Sequence, residues 1–349
     1  MHKRKQRKII ITTSFIMLFL LTVVYASFNT SINLKAKGNI KEKSQKIQRF
    51  YQNSKEDFHS DFYKENIENI TFSKNTKIPS NAKEIFDISE AKDNGVVAYT
   101  VENTNGKYDL FIVSKNGIIA NEDTSYFFDG FINLKTINFN NSYDTKNVKT
   151  MARMFQNCKS LKELNLESFN TANVTNMNNM FDGTESLEVL NIKSFNTQNV
   201  TDMGGMFYAC RKLKTLNLSN FDTSNVTIMT DMFSTCTSLT EINLASFNTK
   251  NVINMSGMFF CCQSLTSLNL NNFNTEKVTN MSIMFNWCSS LKELNLCSFD
   301  ITNVTYLNSI FSHTHSLEKV TANWDTTNKN TENMFLDSNI NQIEPKCII

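Results

Sequence analysis

The chain has 349 residues, with 35 Lys and Arg against 33 Asp and Glu, and glycine (9) and proline (2) are scarce. This composition excludes a collagen-like chain or a long flexible linker. Five basic residues lie within residues 3–8, so the net charge of +2 leaves 2 − 5 = −3 for the remainder. A mildly acidic remainder argues against a nucleic-acid partner.

The N-terminus predicts export. The basic residues are followed by an apolar run over residues 9–26. Such a run is typical of a secretory signal peptide, and it is also just long enough to span a bilayer. Residues 1–27 are therefore expected to be a signal peptide or a membrane anchor, and the rest to be secreted or held at the cell surface. No sorting motif or apolar tail closes the chain, so any anchor is expected to be N-terminal.

Two segments precede the repetitive part of the chain. Residues 28–79 are charged, and their apolar residues mostly recur at spacings of three or four, which predicts a helical stalk or a solvated helix covering the next domain. Residues 80–127 contain β-rich runs at 96–101, 108–113 and 117–120, separated by Asn-Gly turn signals. They predict a small antiparallel sheet that caps the repeats, because an uncovered end would expose their core.

From about residue 128 the sequence repeats with a fixed period, and a degraded copy ends at Phe335. A period in the twenties is typical of a solenoid. Residues 128–340 are therefore predicted to form one α+β repeat solenoid, followed by a tail at 341–349. The phenylalanine that ends each full copy recurs every 26 residues, at Phe155, Phe181, Phe207, Phe233, Phe259, Phe285 and Phe311.

The copy over residues 161–181 illustrates one coil. Leu164 and Leu166 alternate with polar residues, which predicts a short strand with the leucines inside. Residues 170–173 have turn chemistry. Met177, Met180 and Phe181 follow at i, i+3 and i+4, which predicts a short helix with one buried face. Each coil should thus hold a strand, a turn and a short helix.

The cysteines invite three interpretations. A column of thiols could bind metal or form disulfides, but packing in the core is simpler, because threonine replaces cysteine in two copies and free cysteine is usually buried. Cys261, Cys297 and Cys347 lie outside the column, and an exported chain could form an occasional disulfide among them, although the spacing gives no framework. The column consists of Cys158, Cys210, Cys236, Cys262 and Cys288, with Thr184 and Thr314 as the replacements.

Nothing in the sequence is typical of a catalytic centre. The four histidines, His2, His59, His313 and His315, lie outside any motif, and no nucleophile–base pair or phosphate loop is evident. We therefore expect no enzymatic activity, no cofactor and no metal site.

The repeat, written Phe-Asn/Asp-Thr-x-Asn-Val-Thr-x-Met-x-x-Met-Phe-x-x-Cys-x-Ser-Leu-x-x-Leu-Asn-Leu, resembles that of the BspA-like leucine-rich-repeat surface proteins of bacteria. The resemblance covers about residues 80–335. It implies a leucine-rich-repeat-like solenoid, surface display and adhesion, with host matrix proteins or other bacterial cells as partners. This chain departs from the family pattern in having no C-terminal wall anchor.

The predicted function is adhesion to host or cell-surface proteins through the solenoid, and the alternative is a structural spacer of the cell envelope without a ligand. The asparagines between inward leucines should form an outward amide ladder, which either stabilises the sheet or contacts a ligand directly. The expected binding surface lacks Trp, Tyr and Arg, so weak contacts multiplied by clustering are expected. We call this surface the strand face: Glu163, Asn165, Glu167, Asn191, Lys193, Asn217, Glu241, Asn243, Asn269, Glu293 and Asn295.

Overall fold

A computed structural model describes residues 43–52 and 54–347. The predicted leader at residues 1–27 lies outside the described residues. Among the helices of these described ranges, none combines the length and the hydropathy of a membrane span.

A mixed β-sheet and two short helices form the N-terminal part. A 3-10 helix (Asp57–His59) precedes helix α1 (Asp61–Asn66), whose first turn is capped by the Ser60 hydroxyl. The sheet has the order β2-β3-β4-β1-β6. Strands β2, β3 and β4 are antiparallel, whereas β1 runs parallel to both β4 and β6. The strands are β1 (Ile67–Ser73), β2 (Ala82–Asp87), β3 (Val97–Glu102), β4 (Tyr108–Val113) and β6 (Thr136–Asn138).

The predicted stalk is wrong for the described residues 43–79, which belong to this cap. Phe50, Phe58 and Tyr63 are buried in its core, and β1 lies inside the sheet. The register of β1 shifts between Ile67 and Asn69, so Ile67 and Ile70 both face the core although they are three residues apart. A bulged strand therefore imitated the spacing of a helix.

The cap is continuous with the first coil. Strand β6, which lies in the first coil, pairs with β1, and a two-residue strand β5 (Ile118–Ile119) pairs with β7 (Tyr143–Asp144). The Phe72 ring of the cap lies 5.0 Å from the rings of both Phe139 and Tyr143. The sheet thus covers the aromatic end of the solenoid core.

We call the part of each coil that holds its Met and Phe positions, such as residues 176–182, the Met-Phe segment. It forms tight turns, so the predicted short helix is wrong. Met154 N–H donates to Met151 O in its own coil, whereas Met151 N–H and Arg153 N–H donate to Asn176 O (3.0 Å) and Asn178 O (2.9 Å) in the next. A helix would use these donors internally and leave the neighbouring coil without partners. The left-handed φ of 59° at Arg153 permits this alternation.

Backbone bridges run through the whole array at the Met-Phe segment, rather than at the predicted strands. One column of parallel bridges links Asp123, Thr150 and Asn176 and continues coil by coil to Asn330. Residues 215–217, 241–243 and 267–269, at the strand position of the middle coils, have no assigned strand. Strands occur in two pairs, β8 (Glu163–Asn165) with β9 (Val189–Asn191) and β10 (Glu293–Asn295) with β11 (Lys319–Thr321).

The interior follows the predicted columns. The repeated leucine, methionine and phenylalanine positions supply most of the buried core, and Met203, Met206 and Phe207 are fully buried. Neighbouring phenylalanine rings from Phe155 to Phe311 stack with centroids 5.6 to 6.0 Å apart and planes within 13° of parallel. Each ring thus packs between its equivalents in the adjacent coils.

A second column, of buried threonines, joins the coils by hydrogen bonds. The Thr197 hydroxyl donates to Asp222 O (2.9 Å) and accepts from Asp222 N–H (2.8 Å) in the next coil. The hydroxyls of Thr145, Thr171, Thr223 and Thr249 likewise pair with both the N–H and the C=O of one residue in the next coil, and Thr275 donates to Asp300 O. The column consists of Thr145, Thr171, Thr197, Thr223, Thr249 and Thr275, each of which donates to the next coil.

The C-terminal end is closed by the tail. Glu344 N–H donates to Val320 O (2.8 Å) and Glu344 O accepts from Ala322 N–H (3.2 Å), which adds an extended segment beside β11. A disulfide joins Cys297 to Cys347. Closing a loop of 50 residues stabilises a fold by about 4 kcal/mol in the chain-entropy account.

His59 is a buried core residue of the cap. Its Nε2 lies 2.9 Å from Phe127 O, while its Nδ1 is buried without a hydrogen-bond partner. The ring stacks on Phe50 at 4.2 Å. Burial among aromatic rings lowers the pKa of His59 to about 3, so the folded protein holds it neutral.

Replacing Thr197 with Val should destabilise the array by about 2 kcal/mol, because the isosteric side chain leaves both backbone groups of Asp222 unpaired. Thr201→Val is the matched control, since this exposed hydroxyl donates one bond to Thr175 O, and should cost less than about 0.5 kcal/mol. Urea unfolding followed by circular dichroism measures both. Equal effects of the two substitutions would contradict the bridging role.

Stability should fall as the pH falls from about 6.5 towards 3, because the unfolded chain takes up a proton at His59 and the folded chain does not. Above the unfolded pKa of His59 no stability is lost. Below it, the free energy of unfolding decreases by about 1.4 kcal/mol for each pH unit. His59→Gln removes the titrating group but keeps a side-chain donor. Unfolding free energies at several pH values should therefore decrease less steeply for the variant, and identical slopes would contradict the assignment.

Candidate functional site

The strand face lies on the surface as expected. Ten of its eleven residues are exposed, and Asn191 is half-buried. Glu163, Glu241 and Glu293 lie in separate coils, so their carboxylates do not form one cluster. Whether this surface binds a partner stays a prediction.

The predicted continuous amide ladder on this face is wrong. Asn191 Nδ2 donates to Asn165 Oδ1 (3.0 Å), and this is the one amide–amide bond within the column in the described structure. In every coil the asparagine Oδ1 instead accepts the backbone N–H two residues ahead, as from Glu167 to Asn165 at 3.0 Å. These side chains end the strand segment with an Asx-turn, and the role is structural.

The residue types that the strand face lacks lie on a different surface. The residues that alternate with and flank the buried Met and Phe positions point outward from the tight turns. We call the surface that they form the turn face. Tyr208, Trp287 and Tyr306 are exposed by 37%, 36% and 48%. The turn face consists of Tyr126, Arg153, Asn179, Asp182, Tyr208, Ile228, Asp231, Phe260, Ile283, Trp287, Tyr306 and His313.

Side chains of adjacent coils contact each other along the turn face. The Arg153 guanidinium lies 5.7 Å from the centroid of the Tyr126 ring and donates to its hydroxyl (3.3 Å). The Trp287 indole stacks on the His313 ring at 4.3 Å. This surface was missed in the sequence because the segment was predicted as a short helix with one buried face, and the residues that alternate with and follow its Met and Phe positions were not considered. Their aromatic content was the available signal.

A depression of about 290 Å³ lies in the turn face where the Gly204-Gly205 pair replaces larger residues. A Cβ at Gly205 would lie 2.3 Å from Asn179 Oδ1, so glycine permits the close approach of two coils there. Asp182 and Asp231 line the depression, and partial burial raises the pKa of each carboxyl. These two carboxyls offer hydrogen-bond acceptors, and Tyr208 and Ile228 add apolar surface to the lining.

The cysteine column is core, as expected. All five thiols are buried and free, and Cys236 Sγ donates to Phe207 O of the preceding coil (3.1 Å). Thr184 occupies the same position and donates to Phe181 O (2.7 Å). Burial raises the pKa of every thiol in the column, that of Cys210 to about 12, so none is a thiolate at neutral pH.

One side-chain cluster passed over in the sequence lies near the end of the solenoid. Donor atoms of His313, His315 and Asp337 all lie within 4.8 Å of one another. In the described part of the chain, these are the residues whose histidine, cysteine and acidic side chains approach closely enough to share a metal ion.

Residues 122–243 and 232–345 match the family model described as "Mycoplasma protein of unknown function, DUF285". The chain belongs to this family. The matched residues cover most of the solenoid of this chain, from the end of the cap to the tail. The family description gives no function, so any function must be argued from the surfaces described above.

A crystal structure of a leucine-rich repeat protein from Bacteroides ovatus is similar over 71% of this chain and 76% of that chain, with 16% identity and a TM-score of 0.32. So distant a likeness carries no weight here, and the solenoid is established by its own coil-to-coil hydrogen bonds. No curated protein matches the chain.

Thiol titration of the folded protein should detect at most one reactive cysteine, the half-buried Cys261, because the five column thiols are buried and protonated. Unfolding should release six free thiols, and reduction should raise the count to eight. Ellman titration combined with mass spectrometry of alkylated peptides measures all three states. Two or more reactive thiols in the folded protein would contradict the buried column.

Proposed function

We propose that this protein is an exported, non-enzymatic binding protein that attaches to proteins of other cells or of an extracellular matrix through its solenoid. The observation that carries the proposal is the turn face. Tyrosine, tryptophan and arginine, the residue types that dominate binding energy at protein interfaces, lie there on five of the coils, at Tyr126, Arg153, Tyr208, Trp287 and Tyr306. The BspA-like resemblance of the repeat favours the same function.

The turn face is built on a rigid backbone. N–H groups of the Met-Phe segment donate alternately within one coil and to the next, as at Phe207 N–H to Met232 O (2.9 Å). The backbone that carries the outward side chains is therefore fixed before a partner arrives, which reduces the entropy lost on binding. We infer that the turn face, rather than the strand face, makes the principal contacts.

Export is part of the proposal, and two features support it. The basic and apolar composition of residues 1–27 is typical of a secretory leader. The disulfide between Cys297 and Cys347 is of the kind that persists in oxidising compartments outside the cytosol. A structural spacer of the cell envelope would share both features but would leave the exposed aromatic residues without a role.

The absence of catalysis is proposed on chemical grounds. The column thiols are buried, and their raised pKa values make them poor nucleophiles at neutral pH. His59 is enclosed by aromatic rings and does not take up a proton near neutral pH. Neither group can reach a substrate.

Attachment should depend on the turn face and on clustering. Purified residues 27–349, presented as monomer and on beads, would be tested against immobilised matrix proteins and whole cells by interferometry and adhesion counts. Clustered protein should bind at least 100-fold more tightly than monomer. Combining Tyr208→Ala with Tyr306→Ala should weaken monomer binding at least tenfold, since each exposed anchor contributes about 1 to 2 kcal/mol.

The matched control reverses charges on the strand face with Glu163→Lys, Glu241→Lys and Glu293→Lys, which should change attachment less than threefold. If the control variant loses attachment while the tyrosine variant keeps it, the binding surface is the strand face. Failure of the clustered wild-type protein to attach to any surface would favour the spacer.

A further inference from the structure

Three side chains from the last two coils converge at the C-terminal end of the turn face. His313 Nδ1 and His315 Nε2 each lie 3.1 Å from the same oxygen, Asp337 Oδ2. His313 and Asp337 occupy equivalent positions of successive coils, both with left-handed φ near 56°. The bond from His313 N–H to Leu336 O (2.8 Å) fixes the two coils relative to each other at this point.

We propose that His313, His315 and Asp337 bind a divalent transition metal ion, of which Zn²⁺ fits best. Zinc is held tetrahedrally by imidazole nitrogens and carboxylate oxygens at about 2.0 to 2.2 Å, so its ligand atoms lie about 3.3 Å apart. The two nitrogen–oxygen separations of 3.1 Å match this spacing closely. All three ligand atoms lie within 4.8 Å of one another, and rotation of the exposed His315 and Asp337 side chains would bring them to a common ion.

The donor set also determines which ions are excluded. Two imidazoles and one carboxylate suit zinc, nickel and copper, whereas magnesium and calcium require an all-oxygen shell. The side chains of His315 and Asp337 are exposed by 48% and 63%, so the bound ion keeps at least one position open to water or to a ligand from another molecule. This is the pattern of an open site rather than a closed structural one.

Trp287 holds the site in shape. Its indole stacks on His313 at 4.3 Å with planes 19° apart, and it forms a T-shaped pair with the His315 ring at 5.9 Å. Packing of this kind fixes ring orientation, as outer-shell partners of metal ligands do. It also makes Trp287 a fluorescent reporter, and the remaining tryptophan, Trp324, can be replaced by Phe to isolate its signal.

Metal binding should stabilise the end of the solenoid, because the ligands come from two coils and an ion bound to the folded state favours it. The site is therefore expected to hold the last coil on the array. Direct binding measurements do not depend on attachment to any surface, so this inference and the proposed function can fail separately.

The test uses untagged residues 27–349 freed of metal by a chelator. Titration with ZnCl₂ by calorimetry should give one site with a micromolar or lower Kd, together with a change in Trp287 fluorescence and a higher melting temperature. MgCl₂ should produce none of these. His315→Ala and Asp337→Asn should each weaken Zn²⁺ binding at least tenfold, and both residues are surface positions whose substitution leaves the core intact.

Glu332→Gln, an exposed carboxylate of the same coil, is the matched control and should bind Zn²⁺ as the wild type does. No heat and no fluorescence change in the wild type would overturn the proposal. Unweakened binding in both ligand variants would also overturn it, and loss of that binding on alkylating Cys261 would place the ion at this half-buried thiol instead.

Discussion

The structure depends on the way each Met-Phe segment divides its backbone hydrogen bonds. Donors alternate between the same coil and the next one, so no coil satisfies its polar groups alone. The threonine column adds side-chain bonds to the backbone of the neighbouring coil at a separate point, as Thr197 does with Asp222. Stacking is thus required by hydrogen bonding as well as by burial of the phenylalanine and leucine columns.

These hydrogen bonds and packing contacts constrain the interior of the solenoid but not its surface. The inward positions are fixed by packing, and the backbone is fixed by its neighbours, so the outward residues of the Met-Phe segment can differ from coil to coil without disturbing the fold. Gly205, Asp231 and Ile283 occupy one such position, and Ala209, Thr235 and Trp287 occupy another. A repeated scaffold therefore carries a non-repeated surface, which is what specific recognition requires.

Sequence periodicity alone was enough to locate the core columns, because a fixed period of 26 assigns every residue to a position and Phe207 or Cys236 then has few alternatives to burial. It was not enough to distinguish the tight turns from a helix, since both bring residues at i, i+3 and i+4 to one side. Nor did it identify β1, where a bulge disguised a strand, or the meeting of Cys297 with Cys347, which depends on the path of the tail.

The candidate site was predicted less well than the core. The strand face was correctly placed at the surface, but its asparagines are engaged in turns, and the aromatic residues of the turn face were overlooked. The cluster of His313, His315 and Asp337 depends on a contact between coils that differ in length, which no periodic rule describes.

The threonine column stops before the solenoid does. Ile301 takes the place of threonine in the coil that follows Thr275, and the backbone of Glu344 then occupies the edge beside β11. Because the tail pairs with β11, a second copy of the chain arriving at this end meets a paired edge instead of a free strand. Growth of the array into filaments by end-to-end addition is thereby discouraged, and the molecule keeps a defined length.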